Sequence, residues 1–320
     1  MIAAEIEYIE LYLMFKQMET TQCAATENAM SQAEVRRISQ YFEEMVASRP
    51  GGCRLPPFNL IFDEADPGRF RNYAIPSAGT DATAEDLSKL IAEFRRRDRT
   101  PRFEFIPELA PQLGVLLRRG GFVEEGVLPL MAYRGGAFDF TSSEISTCFA
   151  TSRSALSEAA QIQHAAFGDG AIVQADVDRL LRLVDEGGLV ALARAKSGKA
   201  VGSGLVTRPF AGVAELAGLG VSQEHRRRGV GRQVANFLAR TSQAQDVSLL
   251  FLTAAGDDEA RMYEAIGFET IGACLHAHLP PLPSPRRQQN ATRCSGHPDN
   301  ASDEHSMLSA SQADLMGMDQ

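Results

Sequence analysis

The sequence predicts a mixed α/β (α+β) protein built from two tandem units, and three observations carry that expectation. Apolar runs of strand length alternate with stretches whose apolar residues recur at helical spacing, from about residue 31 to residue 279. At 320 residues the chain exceeds one ordinary core and suits two. Between Ala214 and Ala239 a small, apolar run leads into a glycine- and arginine-rich turn and then a helical pattern, which reads as strand, turn and helix.

The first unit spans residues 1–140. A helix runs from Ser31 to Ala47, with Val35, Ile38, Tyr41, Phe42 and Met45 on one side. Phe58 to Phe62 and Asn72 to Ile75 read as strands. A helix from Ala84 to Arg97 buries Leu87, Leu90, Ile91 and Phe94, and its arginine-rich end faces water. Arg102 to Ile106 alternates as a half-buried strand, followed by a helix with Leu113, Leu116 and Leu117 and a strand from Phe122 to Tyr133. Ahead of this unit, Ile2, Ile6, Ile9 and Leu13 fall at helical spacing. Glu5, Glu7 and Glu10 break any apolar run there, so the segment reads as an amphipathic helix, neither signal nor membrane span.

The second unit spans 141–280. Helices are expected at Ser152 to Phe167 and Ala175 to Asp185, and strands at Leu189 to Ala195 and Val201 to Thr207. The strand–turn–helix comes next, then a strand at Val247 to Thr253, a helix through Tyr263 and a final strand near Ile271 to Leu279. From 281 to 320 prolines give way to Ser, Gln, Asp and Asn with few large apolar residues, which predicts a disordered tail.

Composition excludes several classes. A net charge of −9 argues against a broad nucleic-acid footprint despite local arginine runs. Five scattered cysteines, with no Cys-x-x-Cys pair or histidine cluster at ligand spacing, fit a reducing, cytoplasmic setting without a metal.

The turn concentrates the chemistry. A backbone that wraps a pyrophosphate aims consecutive N–H groups inward, and Gly229 and Gly231 remove the side chains that would obstruct it. The following helix turns its unpaired N-terminal amides and positive dipole end toward the same place, and Arg226, Arg227, Arg228 and Arg232 add charge suited to several phosphates. The spacing is neither that of a P-loop nor that of a dinucleotide fingerprint, since Val234 stands where the latter needs its third Gly.

The segment Arg226-x-x-Gly229-x-Gly231 resembles the acyl-CoA loop of the GNAT N-acetyltransferases. The order around it agrees: the loop's helix, a strand, a helix bearing Tyr263, and Gly267-Phe268 opening the next strand. The resemblance implies a mixed, mostly antiparallel sheet flanked by helices, acetyl-CoA as co-substrate, no metal, and acetyl transfer to a primary amine. The acceptor would be a small molecule or a protein amine. Residues 226–232 would hold the coenzyme, and backbone N–H groups around Leu219, Gly220 and Val221 would meet the oxyanion where two parallel strands splay to admit the pantetheine arm, with Gly218 and Gly220 allowing a bulge or close ligand approach or simply packing under a helix. Tyr263 would be the general acid. Glu215, thirteen residues before Arg228 in an otherwise uncharged strand, matches the catalytic glutamate of one branch of the family, although a solvated strand-end glutamate is an equal alternative.

Departures are visible. Asp257 replaces an asparagine that many members carry and reads as a helix cap. His276 and His278 share one strand face without ligand partners at metal spacing, and His164 falls on a helix near the expected acceptor pocket. Leu116 to Phe122 resembles the Tyr263-to-Phe268 closure with Leu117 in the tyrosine's place, yet residues 1–140 contain no Arg/Gln-x-x-Gly-x-Gly loop. The first unit is therefore expected to be a diverged GNAT-like or accessory α/β domain. A coenzyme-binding regulatory or scaffold protein without catalysis remains an alternative, as a monomer or a homodimer, with no nucleic acid or membrane as partner.

Overall fold

Helix α1, residues 31–48, packs on one face of the sheet because one of its sides is apolar at every turn. Val35, Ile38, Tyr41 and Met45 are buried on it against Leu130, Ala132, Val213, Leu249 and Phe251. The computed structural model describes residues 31–136, 144–167 and 171–281. The chain divides into Met1–Leu279 and Pro280–Gln320. Beyond residue 281 the second unit lies outside the described residues, and so do the expected N-terminal amphipathic helix and the expected disordered tail.

Strands β1 (Gly52–Leu55), β2 (Phe58–Ile61) and β3 (Tyr73–Pro76) precede helix α2 (Ala84–Arg96), strand β4 (Arg102–Phe105), helix α3 (Leu113–Arg119) and the long strand β5 (Val123–Tyr133). Strand β6 (Ile145–Phe149) is followed by helices α4 (Arg153–Phe167) and α5 (Gln174–Asp185) and by strands β7 (Leu189–Ala195), β8 (Ala200–Val206) and β9 (Val213–Val221). Helix α6 (Val230–Ala244), strand β10 (Leu249–Thr253), helix α7 (Asp257–Glu264) and strand β11 (Phe268–His278) complete the order. These are the expected elements, with β1 and β6 added. Each is a short strand whose hairpin or edge pairing decides it, with little apolar signal of its own.

All eleven strands form one sheet in the order β1-β2-β3-β4-β11-β5-β10-β9-β8-β7-β6. Pairing is antiparallel except at β3·β4 and β9·β10. Main-chain hydrogen bonds cross the expected boundary near residue 140: β11 lies between β4 and β5, and β5 between β11 and β10. The strands of 1–140 and 141–280 therefore interleave within one sheet.

One arrangement occurs twice. The run β3-α2-β4-α3-β5 has the same sequence of elements as β9-α6-β10-α7-β11. In each, a helix links two parallel strands, the second of which pairs antiparallel with a strand of the other half, and the third strands β5 and β11 pair with each other. The cores follow suit. Helices α2 and α3 bury Leu87, Leu90, Phe94, Leu113 and Leu117 with Phe103 and Phe105. Helix α6 buries Val230, Val234, Leu238 and Ala239 with Ala214, Leu216, Leu250 and Leu252. Period-two alternation sends Val213, Leu249 and Phe251 to the opposite face, onto α1.

The arginines after α2 do more than face water. Arg97 lies 4.3 Å over the Phe62 ring and shares Glu93 with Arg96, and Arg99 donates to the Asn72 side chain and the Asp63 carbonyl. They fasten the helix end to the loop between β2 and β3.

Candidate active site

Strand β9 carries the site because its two neighbours treat it differently. With β10 it pairs only over Val213 to Glu215, opposite Leu249 to Phe251. On its other edge β10 pairs Phe251, Leu252 and Thr253 with Ala132, Met131 and Leu130 of β5. Past Glu215 the parallel strands part, which leaves residues 216–221 of β9 bonded to β8 alone. The β8·β9 register slips between Ser203 and Leu205, opposite Gly218, whose φ of +60° marks a bulge. Leu219, Gly220 and Val221 occupy this free stretch.

Glycine 220 packs closely against α4. A Cβ there would lie 3.0 Å from Ala166 Cβ and 3.2 Å from the Ile162 carbonyl, and one at Gly218 would lie 3.1 Å from Gln163 Nε2. Both glycines let α4 press against the strand, so Gly220 makes room for a helix rather than for a ligand on that face.

After β9 a single 3-10 turn, Gln223–His225, leads into the loop. Arg227 at φ +61° and Gly229 at φ +77° are left-handed, and between them they swing the chain into α6. Helix α6 has no side-chain cap and no acidic residue in its first turn. Its first internal hydrogen bond runs from Gln233 N–H to the Gly229 carbonyl at 2.9 Å, so the amides of Val230, Gly231 and Arg232 precede the ladder at the positive end of the dipole. Arg226, Arg227 and Arg228 are exposed and form no ion pair among the described residues.

The two loop glycines differ in kind. Gly229 is required by its backbone conformation. Gly231 is not, since a Cβ there would meet only ordinary contacts: Val221 Cγ2 at 3.5 Å, Leu219 Cδ2 at 3.7 Å and Met262 Sδ at 3.7 Å. Those contacts also show that the start of α6, the end of β9 and the residue before Tyr263 converge on one point.

Tyr263, on α7, is 8% exposed and joins the core of Val230, Val234 and Leu252, its ring edge-on to Phe268 at 5.7 Å. Burial, with a contribution from Glu259, raises its phenol above the ordinary tyrosine range, so the hydroxyl keeps its proton at any physiological pH. Asp257 is the first helical residue rather than the cap, a position held by Gly256. With Asp258 and Glu259 it complements the helix dipole.

Glu215 points to the face opposite α6. Its main chain is fixed by Thr207, whose Oγ1 accepts from the Glu215 amide at 2.8 Å while the Thr207 amide donates to the Glu215 carbonyl at 2.9 Å. The Tyr41 hydroxyl donates to the same Oγ1 at 2.5 Å. The carboxyl lines a pocket with Tyr41, Phe42, Met45, Arg49, Tyr73 and Ile75. Burial raises its pKa to about 7, helped by Glu104 and opposed by Arg49. A carboxylic acid poised at neutrality beside a pocket can take up and release a proton there.

Tyr41, Arg49, Tyr73 and Thr207 were not singled out by the sequence. Tyr41 was placed on the buried side of α1 and Tyr73 in a strand, but no local pattern joins either to Glu215. The histidines belong elsewhere. His276 is held by Arg102 at 3.1 Å in a buried network with Glu104 and Glu125, and His278 lies 3.0 Å from Glu125. His164 sits 3.2 Å from Asp176 between α4 and α5. Among the described residues no group of three or more His, Cys, Asp or Glu is placed to hold a metal, and no helix is long and apolar enough to cross a membrane.

The matching position in the first half is closed. Helix α2, which stands between β3 and β4 as α6 stands between β9 and β10, begins with a capping box. Thr83 Oγ1 accepts from the Asp86 amide at 3.2 Å, and Asp86 accepts from the Thr83 amide at 3.0 Å. Glu85 and Asp86 make that helix end acidic.

Comparison with known proteins bears directly on this architecture. Residues 156–268, from α4 to the start of β11, match the model of the Acetyltransferase (GNAT) family. This stretch is a GNAT domain. Members of the family are acyltransferases that use acetyl-CoA as co-substrate. Among solved structures, a GCN5-related N-acetyltransferase from Kribbella flavida is 22% identical with a TM-score of 0.63, covering 77% of this chain and 96% of that one. One from Sphaerobacter thermophilus is 15% identical at TM-score 0.51, covering 70% and 78%. A GCN5-related N-acetyltransferase-like protein from Streptococcus suis is 13% identical at TM-score 0.51, covering 77% and 99%. These likenesses are of fold. No curated protein sequence matches the chain.

Proposed function

We propose that the protein is an acetyl-CoA-dependent N-acetyltransferase that moves an acetyl group to a primary amine of a small molecule by direct transfer in a ternary complex. The observation that carries this reading is the convergence at Gly231. The uncapped start of α6, the end of β9 that is free on its β10 edge and the turn of α7 bearing Tyr263 meet there, with Glu215 where β9 and β10 part.

The chain's own groups fit the coenzyme. The amides of Val230, Gly231 and Arg232 and the side chains of Arg226, Arg227 and Arg228 would hold its phosphates, and the free stretch Leu219 to Val221 would hold its arm. Acetyl-CoA supplies a thioester carbonyl for an amine to attack and a thiolate to leave. Glu215 takes a proton from the acceptor's ammonium so that a nitrogen lone pair is available. Main-chain N–H groups at the end of β9 answer the negative charge that develops on the carbonyl oxygen. The nitrogen bonds to the carbonyl carbon as the C–S bond breaks, Tyr263 donates its hydroxyl proton to the departing sulfur, and the second proton that the nitrogen sheds on becoming an amide restores the phenol.

The first half completes the acceptor side. Its repeated strand-helix order supports descent from a GNAT-like unit, and the capping box with acidic Glu85 and Asp86 accounts for a helix end that no longer receives phosphate. Its remaining contributions are α1 and Tyr73, which wall the pocket at Glu215.

The test is release of the coenzyme's thiol with a panel of primary amines, alongside calorimetry with acetyl-CoA. Transfer to at least one amine is expected. Tight binding with no turnover on any amine would favour the regulatory alternative, and no binding would end the proposal. One variant isolates the loop. Gly231→Asp adds a carboxylate at a helix N-terminus, where it leaves the melting temperature unchanged or raises it, while acetyl-CoA affinity falls about 100-fold or more by charge repulsion. An unchanged dissociation constant in calorimetry would remove the phosphates from this site.

A further inference from the structure

We infer that the acceptor is a primary amine with a carboxylate at the other end of an apolar chain, held between Glu215 and Arg49 in the pocket beside α1. The inference rests on the acetyltransferase reading and names its substrate class.

The pocket's charges support this directly. Glu215 and Arg49 are the ionised side chains that line it, and the rest of its wall is tyrosine or apolar. Other arginines nearby are already paired: Arg208 bonds Ser48 and lies 3.9 Å from both Glu44 and Glu186, Arg71 lies 3.4 Å from Asp66, and Arg179 lies 3.8 Å from Asp176. Arg49 is exposed and has no carboxylate within ion-pair distance among the described residues. A ligand with an ammonium and a carboxylate answers both charges. A polyamine would instead set a second cation against the guanidinium, and an uncharged tail would leave it unanswered.

Spacing sets the chain between the two groups. Tyr41, Met45 and Arg49 recur at four-residue intervals along and just past the end of α1, so they follow one line down the pocket. Tyr41 marks the Glu215 end through Thr207. Arg49 comes eight residues later, about 12 Å along the axis at the helical rise. Met45 lies between them, and Ile61 and Ile75 add apolar wall from β2 and β3. The pocket is thus polar at its ends and apolar along its length.

The experiment compares ω-aminohexanoate with hexylamine, which differ only in the carboxylate. It measures kcat and KM by thiol release, and binding of each amine by calorimetry, in the wild-type protein and in Arg49→Gln and Arg49→Lys. Wild type is expected to prefer ω-aminohexanoate by 10-fold or more in kcat/KM. Arg49→Gln should erase the preference by raising KM for ω-aminohexanoate at least 10-fold more than KM for hexylamine, and Arg49→Lys should restore part of it. Equal use of the two amines by wild type overturns the inference while leaving acetyl transfer intact. Binding of ω-aminohexanoate that depends on Arg49, without acetylation of either amine, supports the ligand assignment and overturns the acetyltransferase reading. Neither binding nor transfer overturns both.

Discussion

Tyr263→Phe is expected to lower kcat by about 100- to 1,000-fold while acetyl-CoA affinity stays within about twofold, the range expected when a positioned general acid is lost. The substitution removes one oxygen and keeps the ring, so the edge-on contact with Phe268 at 5.7 Å and the packing against α6 persist. The phenol's raised pKa keeps the hydroxyl protonated across the whole working range, so the group is present as a donor and never as a base. The loss should therefore fall on kcat and on kcat/KM equally, as for an interaction made only when sulfur departs. Thiol release under saturating acceptor, with calorimetry on the same preparation, separates the two quantities. Unchanged turnover would reduce Tyr263 to a packing residue.

What was legible in the sequence was local. The strand, turn and helix from Ala214 to Ala239 could be read because their determinants are neighbours in the chain: a left-handed Gly229, an uncapped helix start and an apolar stripe through Val234 and Leu238. Tyr263 was singled out by the family resemblance, through its spacing to Gly267 and Phe268, which lead from α7 into β11. The interleaving of β5 and β11 was not legible, because strand periodicity fixes which face a residue takes and says nothing of which strand lies beside it. The pocket was invisible for the same reason. Tyr41 and Thr207 touch across 166 positions, and Tyr73 and Glu215 belong to different halves. At Gly220 the sequence left two readings open, because a missing side chain looks the same whether a ligand or α4 needs the space.

Glu215→Gln carries the second large effect, and its sign differs between activity and stability. A base with a pKa of about 7 is protonated and idle below that value, so wild-type kcat/KM should rise about tenfold per pH unit up to near 7 and then bend toward a plateau. The glutamine variant should lack that bend and lie about 100-fold lower on the plateau. A rise that continues without a break to pH 9 in both proteins would mean that the acceptor loses its proton to solvent, and Glu215 would have no part in it. Folding responds in the opposite sense. Because the folded pKa is raised above the ordinary carboxylate range, the folded state binds the more protons between about 4.5 and 7. The stability this provides is complete at low pH and is lost as pH rises through that window, where the carboxylate must ionise while desolvated. Glutamine carries no charge to desolvate, so the variant should melt higher than wild type above pH 7 and lose that advantage toward pH 4. A residue kept only for packing would gain nothing from a site that opposes its charge. One that must be ionised to work, in a pocket that also holds Arg49 and two buried tyrosines, trades stability at the working pH for a base of the right strength.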